Sequence, residues 1–340
     1  MNLFRSAVAA LIIIVVTGVF YWAIFVPKED ISARINRTIK EQENRADLAF
    51  NKVTFEESTG GEKFWQLEAE NAVVNKSTGI ATLRTTTGLF FKNGQPVMKF
   101  RSPAALWDMK KKEIYLDQPL GYDVNSEAKI AALLKTQSPG TASVFTLPKT
   151  YQKGLGYWFQ ARNLSWKVAD QQLVCTGGIV LNKGEITGRA EKLTGDVEFK
   201  KVQLEGSPRV ELAQRQGAPV TIEAAQFELD STQDLLSASG NPVVTWQDAR
   251  INSLFASYHQ PDNQIKLLGN VAIVYQDISA WGGSADYPTR KELIILSGEA
   301  RAEQGDSRLS SDKVMVSLKD RKISLLGKSR VVIPAEKVAP

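Results

Sequence analysis

One short phrase returns along this chain at a nearly fixed interval. SASGNPVVTWQD spans 237–248, LLGNVAIVYQD spans 267–277 and ILSGEARAEQGD spans 295–306. Aligned on the glycine after each apolar run, the copies fall at Gly178, Gly206, Gly240, Gly269, Gly298 and Gly327, with spacings of 28, 34, 29, 29 and 29. A small residue precedes each glycine by 13 to 17 positions: Ala161, Ala190, Ala225, Ala256, Ala285 and Ser311. Two fainter copies lie upstream, one with Ala69 in the small position, the other with Ser102 there and Asp117 in place of the glycine. That makes about eight copies of one supersecondary unit. A unit of this size cannot bury its own apolar face, so neighbours must stack into a long structure.

Inside each unit the apolar residues alternate. FWQLEAENAVV, EIYLDQPL, VTIEAAQFELD and KISLLGKSRVVI have the period of two expected of half-buried strands. STGG, KNGQP, NKGE, PDNQ and SLKDRK punctuate them as turns. The spacing therefore predicts an all-β fold, a sandwich, jelly roll or solenoid. The glycine is expected to supply a bulge that bends a strand, and the small residue to let a strand turn a corner or approach the opposite sheet. Residues 124–157 break the rhythm with Ser-Pro-Gly, Leu-Pro-Lys and Gly-Leu-Gly. They read either as a joint between a two-unit and a six-unit part or as a long loop within one continuous fold.

The N-terminus reads differently. Ala7 to Val26 carries no charge over 20 residues, the length of a membrane-crossing helix. Tyr21 and Trp22 suit an interface, and bulky Phe25-Val26 runs into Pro27 without a small-residue cleavage site. Residues 1–28 are thus expected to form an uncleaved transmembrane anchor. Residues 29–48, with Ile31, Ile35 and Ile39 on one narrow stripe, read as a polar stalk. Flanking charges, Arg5 before the run against Lys28, Arg34, Arg37 and Lys40 after it, do not settle orientation, because long domains translocate largely regardless of charge.

Chemistry is scarce. The chain has one histidine, His259, in a turn, and one cysteine, Cys175, in a strand-like run. No intrachain disulfide and no cysteine-based metal site can form, and no nucleophile–base pair stands out. No phosphate-cradling glycine loop is present. No acidic cluster recurs at one repeat position, which speaks against a repeat-built polysaccharide enzyme. A net charge of +5 is small for 340 residues, and the basic residues are dispersed, so no nucleic-acid footprint appears. The expectation is a non-enzyme without metal or cofactor. What remains is the inward face, which alternation assigns to Trp65, Leu67, Leu83, Phe100, Ile114, Leu116, Phe159, Ala161, Leu173, Phe227, Ala238, Val271, Ile273, Val316 and Leu325. Two sheets lined this way make either a solid core or a long apolar groove.

The combination of anchor, stalk and repeated units resembles the lipopolysaccharide-transport bridge proteins. The anchor with VTFEESTGGEKFWQLEAENAVV resembles LptC, and later units such as ASYHQPDNQIKLLGNVAIVYQD resemble the LptA/OstA-like domain. The resemblance covers nearly the whole chain and implies a long, twisted, open β-jelly roll. It divides the chain into an LptC-like β domain over 49–150 and an LptA/OstA-like β domain over 151–335. It also implies a protein of the inner membrane, crossing once, with its C-terminal part in the periplasm. Acyl chains of lipopolysaccharide would lie in the groove, delivered by an inner-membrane ABC transporter complex. They would pass to a downstream periplasmic bridge or outer-membrane translocon joined by edge-strand pairing. The alternative is an envelope scaffold with a solid β core and no cargo.

Overall fold

The computed structural model describes Ala33, Arg37 and residues 47–135, 156–214 and 218–333. The expected anchor, and all of the expected stalk but Ala33, Arg37, Asp47 and Leu48, lie outside the described residues. No helix among the described residues is long and apolar enough to cross a membrane.

Among the described residues, twenty-three strands form one antiparallel hydrogen-bonded network, as the alternation requires. In chain order they are β1 (Leu48–Thr59), β2 (Glu62–Asn75), β3 (Ile80–Lys92), β4 (Gln95–Asp108), β5 (Glu113–Asp117), β6 (Leu120–Asp123), β7 (Tyr157–Gln160), β8 (Asn163–Lys167), β9 (Gln172–Lys183), β10 (Ile186–Asp196), β11 (Lys201–Glu205), β12 (Arg209–Leu212), β13 (Val220–Glu223), β14 (Gln226–Asp230), β15 (Leu235–Ser239), β16 (Val243–Trp246), β17 (Ala249–Asn252), β18 (Phe255–His259), β19 (Gln264–Tyr275), β20 (Ile278–Pro288), β21 (Leu293–Gln304), β22 (Ser307–Ser317) and β23 (Lys322–Val332).

The network folds along a line of corners into two layers. One half of β4 pairs with β5 and the other half with β6. From there the first sheet runs β5, β8 and the leading half of β9, while the second runs β6, β7 and its trailing half. Both ladders therefore continue across the break in rhythm at 124–157. The split repeats through β11, β14, β15 and β18 in the first sheet and β12, β13, β16 and β17 in the second, meeting again in β19. From β19 to β23 each long strand crosses from one sheet to the other at a register shift, and β23 is the edge of the ladder among the described residues.

The corner explains the repeat. A residue with left-handed φ recurs at Lys52, Thr85, Gln118, Gly178, Ser207, Asn241, Asn270 and Glu299. In the later units the residue before it is the glycine at φ near +80, as at Gly240 (+79) and Gly269 (+80). Gly177, at +81, occupies that first position. The alignment on Gly178 is thus one residue out, and the corrected spacings from Gly177 are 29, 34, 29, 29 and 29. The longer interval has a local cause. The second-sheet turn between β12 and β13 holds seven residues, whereas those between β9 and β10, β16 and β17, and β19 and β20 hold two.

The small-residue expectation needs a second correction. A Cβ on each corner glycine would meet the residue fifteen earlier: Arg162 for Gly177, Glu191 for Gly206, Ala225 for Gly240, Leu254 for Gly269, Gly283 for Gly298 and Asp312 for Gly327. The residue type at that place varies, from glycine at 283 to arginine at 162. Ala190, Ala256 and Ala285 lie instead just inside the sheets, where they are buried. Outside this pattern, residues 127–135 form a helix, α1 (Glu127–Lys135), that the alternation did not announce. Ile130 of α1 packs with Leu120, Tyr122 and Trp158 in a small apolar cluster of their own.

Candidate functional site

The inward faces of the two sheets merge into one apolar cluster running from β2 to β22, with β23 residues packed against it. All the residues that alternation placed inside are in it or against it. Trp65, Leu67, Leu83, Phe100, Ile114, Leu116, Phe159, Leu173, Phe227, Ala238, Val271, Ile273 and Val316 are buried members. Ala161 and Leu325 are only partly buried, Ala161 because it sits at a corner and Leu325 because β23 has no strand beyond it. Their being inside follows from the register. Each long strand keeps its alternation across the corner only because the bulge absorbs the extra residues: in β19, Ile265 and Leu267 face inward before it and Val271 and Ile273 after it.

Several large interior side chains escape a period-two reading. Phe199 sits in the turn after β10, at φ +54, and folds its ring inward. Tyr157 stacks on it with centroids 4.5 Å apart, and Phe159 with centroids 5.0 Å apart. Nothing in a turn sequence marks such a residue. Trp166, Tyr258 and Tyr287 were detectable, since Tyr258 and Tyr287 stand one 29-residue period apart at the last inward position before a turn. At the other end, Trp65 lies edge-on to Trp107 with centroids 5.0 Å apart, and Phe90 contacts both Phe100 and Trp166.

Corners join the sheets along one side of this slot. Along the other side, the mouth, turns of the first sheet meet turns of the second. The Tyr275 hydroxyl donates to the Leu318 carbonyl at 2.7 Å. The Tyr157 hydroxyl donates to the Val197 carbonyl at 3.3 Å. The Lys183 ammonium reaches the Ser231 hydroxyl, and Lys112 pairs with Glu57 at 3.0 Å. Burial holds the Lys183 ammonium below the usual lysine range, against the opposing pull of Asp234, Asp196 and Asp230. Burial likewise pushes the Tyr258 phenol up to about 12.

The groups that could carry chemistry are elsewhere or inert. His259 is the last residue of β18, with Nδ1 2.7 Å from Asp262 in the turn that follows and both side chains exposed. Cys175 is buried and unpaired, and burial raises its thiol far above the usual range. Among the described residues no group of histidine, cysteine, aspartate and glutamate is placed to hold a metal ion. What the arrangement offers is apolar surface held between two sheets, with polar contacts along its mouth and at its corners.

Comparison with known proteins follows the same lines. Residues 221–322, β13 to the start of β23, match the family described as LptA/(LptD N-terminal domain) LPS transport protein. The lipopolysaccharide export system protein LptA of Escherichia coli strain K12 is 26% identical over 116 residues, 31% of this chain and 63% of that protein. The LptA protein of Shigella flexneri gives the same figures. The chain thus spans a little under two thirds of the length of these curated relatives. The solved structure of LptH, the LptA homologous periplasmic component of the lipopolysaccharide transport device from Pseudomonas aeruginosa, matches 34% of this chain and 95% of its own. Its identity is 16% and its TM-score 0.32, too distant a likeness to carry an inference. Over residues 221–322 the chain is similar to the Lpt-family lipopolysaccharide-transport proteins, the family that its anchor and repeats resemble.

Proposed function

We propose that this protein is a membrane-anchored periplasmic bridge. It passes lipopolysaccharide from an inner-membrane ABC transporter complex toward the outer membrane. One observation carries the reading: a single apolar cluster lines both sheets along the whole stack of units. Each acyl CH₂ placed in such a slot avoids about 0.8 kcal/mol of exposure to water. Near-equal units give near-equal sites, so a lipid can move along without a deep trap. The chain performs no catalysis in this reading; the transporter's ATPase supplies the energy. In this reading residues 1–28 anchor the chain in the inner membrane and the jelly roll lies in the periplasm. β1 and β23 end the ladders with one side unpaired among the described residues. Such edges invite strand addition, so they are the docking points for the transporter complex and for a downstream bridge or translocon.

A specific feature favours the solid-core scaffold as the second reading. The interior is filled by its own side chains, with Trp65, Leu67, Phe100 and Ile273 all at 0% exposure. In the bridge reading, the contacts along the mouth part to admit the chains. The test is equilibrium binding of labelled lipopolysaccharide to the full chain in detergent, competed by unlabelled lipopolysaccharide and by its saccharide part freed of acyl chains. The bridge reading predicts saturable uptake that only the acylated competitor displaces. No uptake, or equal displacement by the acyl-free saccharide, leaves the scaffold.

A further inference from the structure

Three polar hydrogens at the mouth of the slot have nothing to bond. The indole N–H groups of Trp107 and Trp166 and the hydroxyl of Tyr287 are buried without a hydrogen-bond partner among the described residues. Trp166 is 2% exposed and Tyr287 0%. Each is the penultimate residue of a strand that runs into a first-sheet turn: β4 ends at Asp108, β8 at Lys167 and β20 at Pro288. All three therefore lie at one depth, the last inward position before the mouth.

Their spacing is also regular. Trp107 pairs with Ile114, and Ile114 with Trp166. Tyr258 pairs with Ile265, and Ile265 with Tyr287. Each set places two polar-headed aromatics two strands apart, about 10 Å, and the sets are separated by six strand spacings, about 30 Å. Tyr258 is the one with a partner, its hydroxyl 3.3 Å from Asn263 Oδ1. A buried donor without an acceptor is costly, and native cores rarely keep one. At Tyr287 phenylalanine would fill nearly the same space without that cost. Three orphans at one depth point to an acceptor that arrives from outside.

We propose that this row reads the oxygens by which acyl chains are joined to an amphiphile's head: ester or amide carbonyls, or hydroxyls close to them. The hydrocarbon runs inward past Trp166 and Tyr287, and the head stays outside the mouth. An indole only donates, so its partner must accept. The residue between each pair is isoleucine, with no cation in the row to neutralise a phosphate, so the acceptor is uncharged. The two sets make two stations along the slot. This inference rests on the lipid-slot reading and adds which part of the lipid is recognised, and by which residues.

The test uses the full chain in detergent with Trp166→Phe, Tyr287→Phe and the double variant. Three quantities are measured: the melting temperature without lipid, the affinity for lipopolysaccharide, and the uptake of hexadecane, which has chains but no acceptor. The expected result is an unchanged or higher melting temperature for Tyr287→Phe, which keeps the ring volume, and for every variant unchanged hexadecane uptake with lipopolysaccharide binding weakened by about three- to tenfold per donor. Equal lipopolysaccharide affinity in wild type and double variant overturns the inference and leaves the slot reading standing. A lowered melting temperature of Tyr287→Phe shows that donor to be structural and overturns it too. A wild type that takes up no lipopolysaccharide overturns the slot reading, and the inference with it.

Discussion

At the corner, backbone geometry sets which residues the chain tolerates. Gly240 holds φ +79, and a Cβ there would lie 2.4 Å from the Ala225 Cβ. Gly240→Ala combines a left-handed backbone penalty with an overlap that no rotamer relieves. It should cost about 2–4 kcal/mol in urea unfolding. Gly178 holds φ +62 with nothing within 4 Å, so Gly178→Ala should cost only about 1–2 kcal/mol, the backbone part alone. Equal losses would show that the close approach is not what fixes the glycine. Thr85 makes the reverse case. It is β-branched yet sits at φ +50, a conformation costly for such a residue. Thr85→Gly should gain about 1 kcal/mol despite the extra chain entropy of glycine; a loss of stability would mean that the strain is absent.

Pairing of elements is where charge matters. Glu113 on β5 stands opposite Lys167 on β8 in the ladder that crosses the break in rhythm, with 3.0 Å between the charged groups. Burial alone would raise the Glu113 carboxyl, but hydrogen bonds from Tyr115 and Lys167 and the charges of Lys167 and Lys111 outweigh it and hold it below 4.5. A carboxyl lowered on folding contributes fully above its unfolded value and loses that contribution as pH falls through the folded one. Wild type should therefore exceed Glu113→Gln in urea midpoint at pH 7, with the gap closing on acidification below the ordinary carboxylate range. A gap that persists in acid would assign the difference to packing. Elements also show where sequence reading succeeds. Strands were legible wherever apolar alternation was strict, as in β2 and β19. The helix α1 was not, because EAKIAALLK is short and sits in a stretch dominated by turn residues. The corner was placed one residue late at Gly178 because Gly177-Gly178 offers two glycines, and only the φ pair tells them apart.

Across the whole molecule, the repeat is the structural unit. Its constant spacing keeps every corner in line on one side and every first-sheet turn in line on the other, so the interior becomes one cluster. That much of the interior was legible, because period two fixes which side chain faces in once one is placed. The contacts along the mouth were not legible, because they join turns of different units, such as Lys183 with Ser231 and Tyr275 with Leu318. The inward-folded Phe199 was hidden for the same reason. The central claim is that acyl chains enter this interior. It is tested most directly by a photo-crosslinking amino acid placed one position at a time in the full chain, in cells that make lipopolysaccharide. Phe100, Leu116 and Ile273 are buried in the slot, whereas Lys266, Val274 and Arg301 face out. The account predicts lipopolysaccharide adducts at the three inward positions and none at the three outward ones. Adducts at neither set, or equally at both, would contradict it.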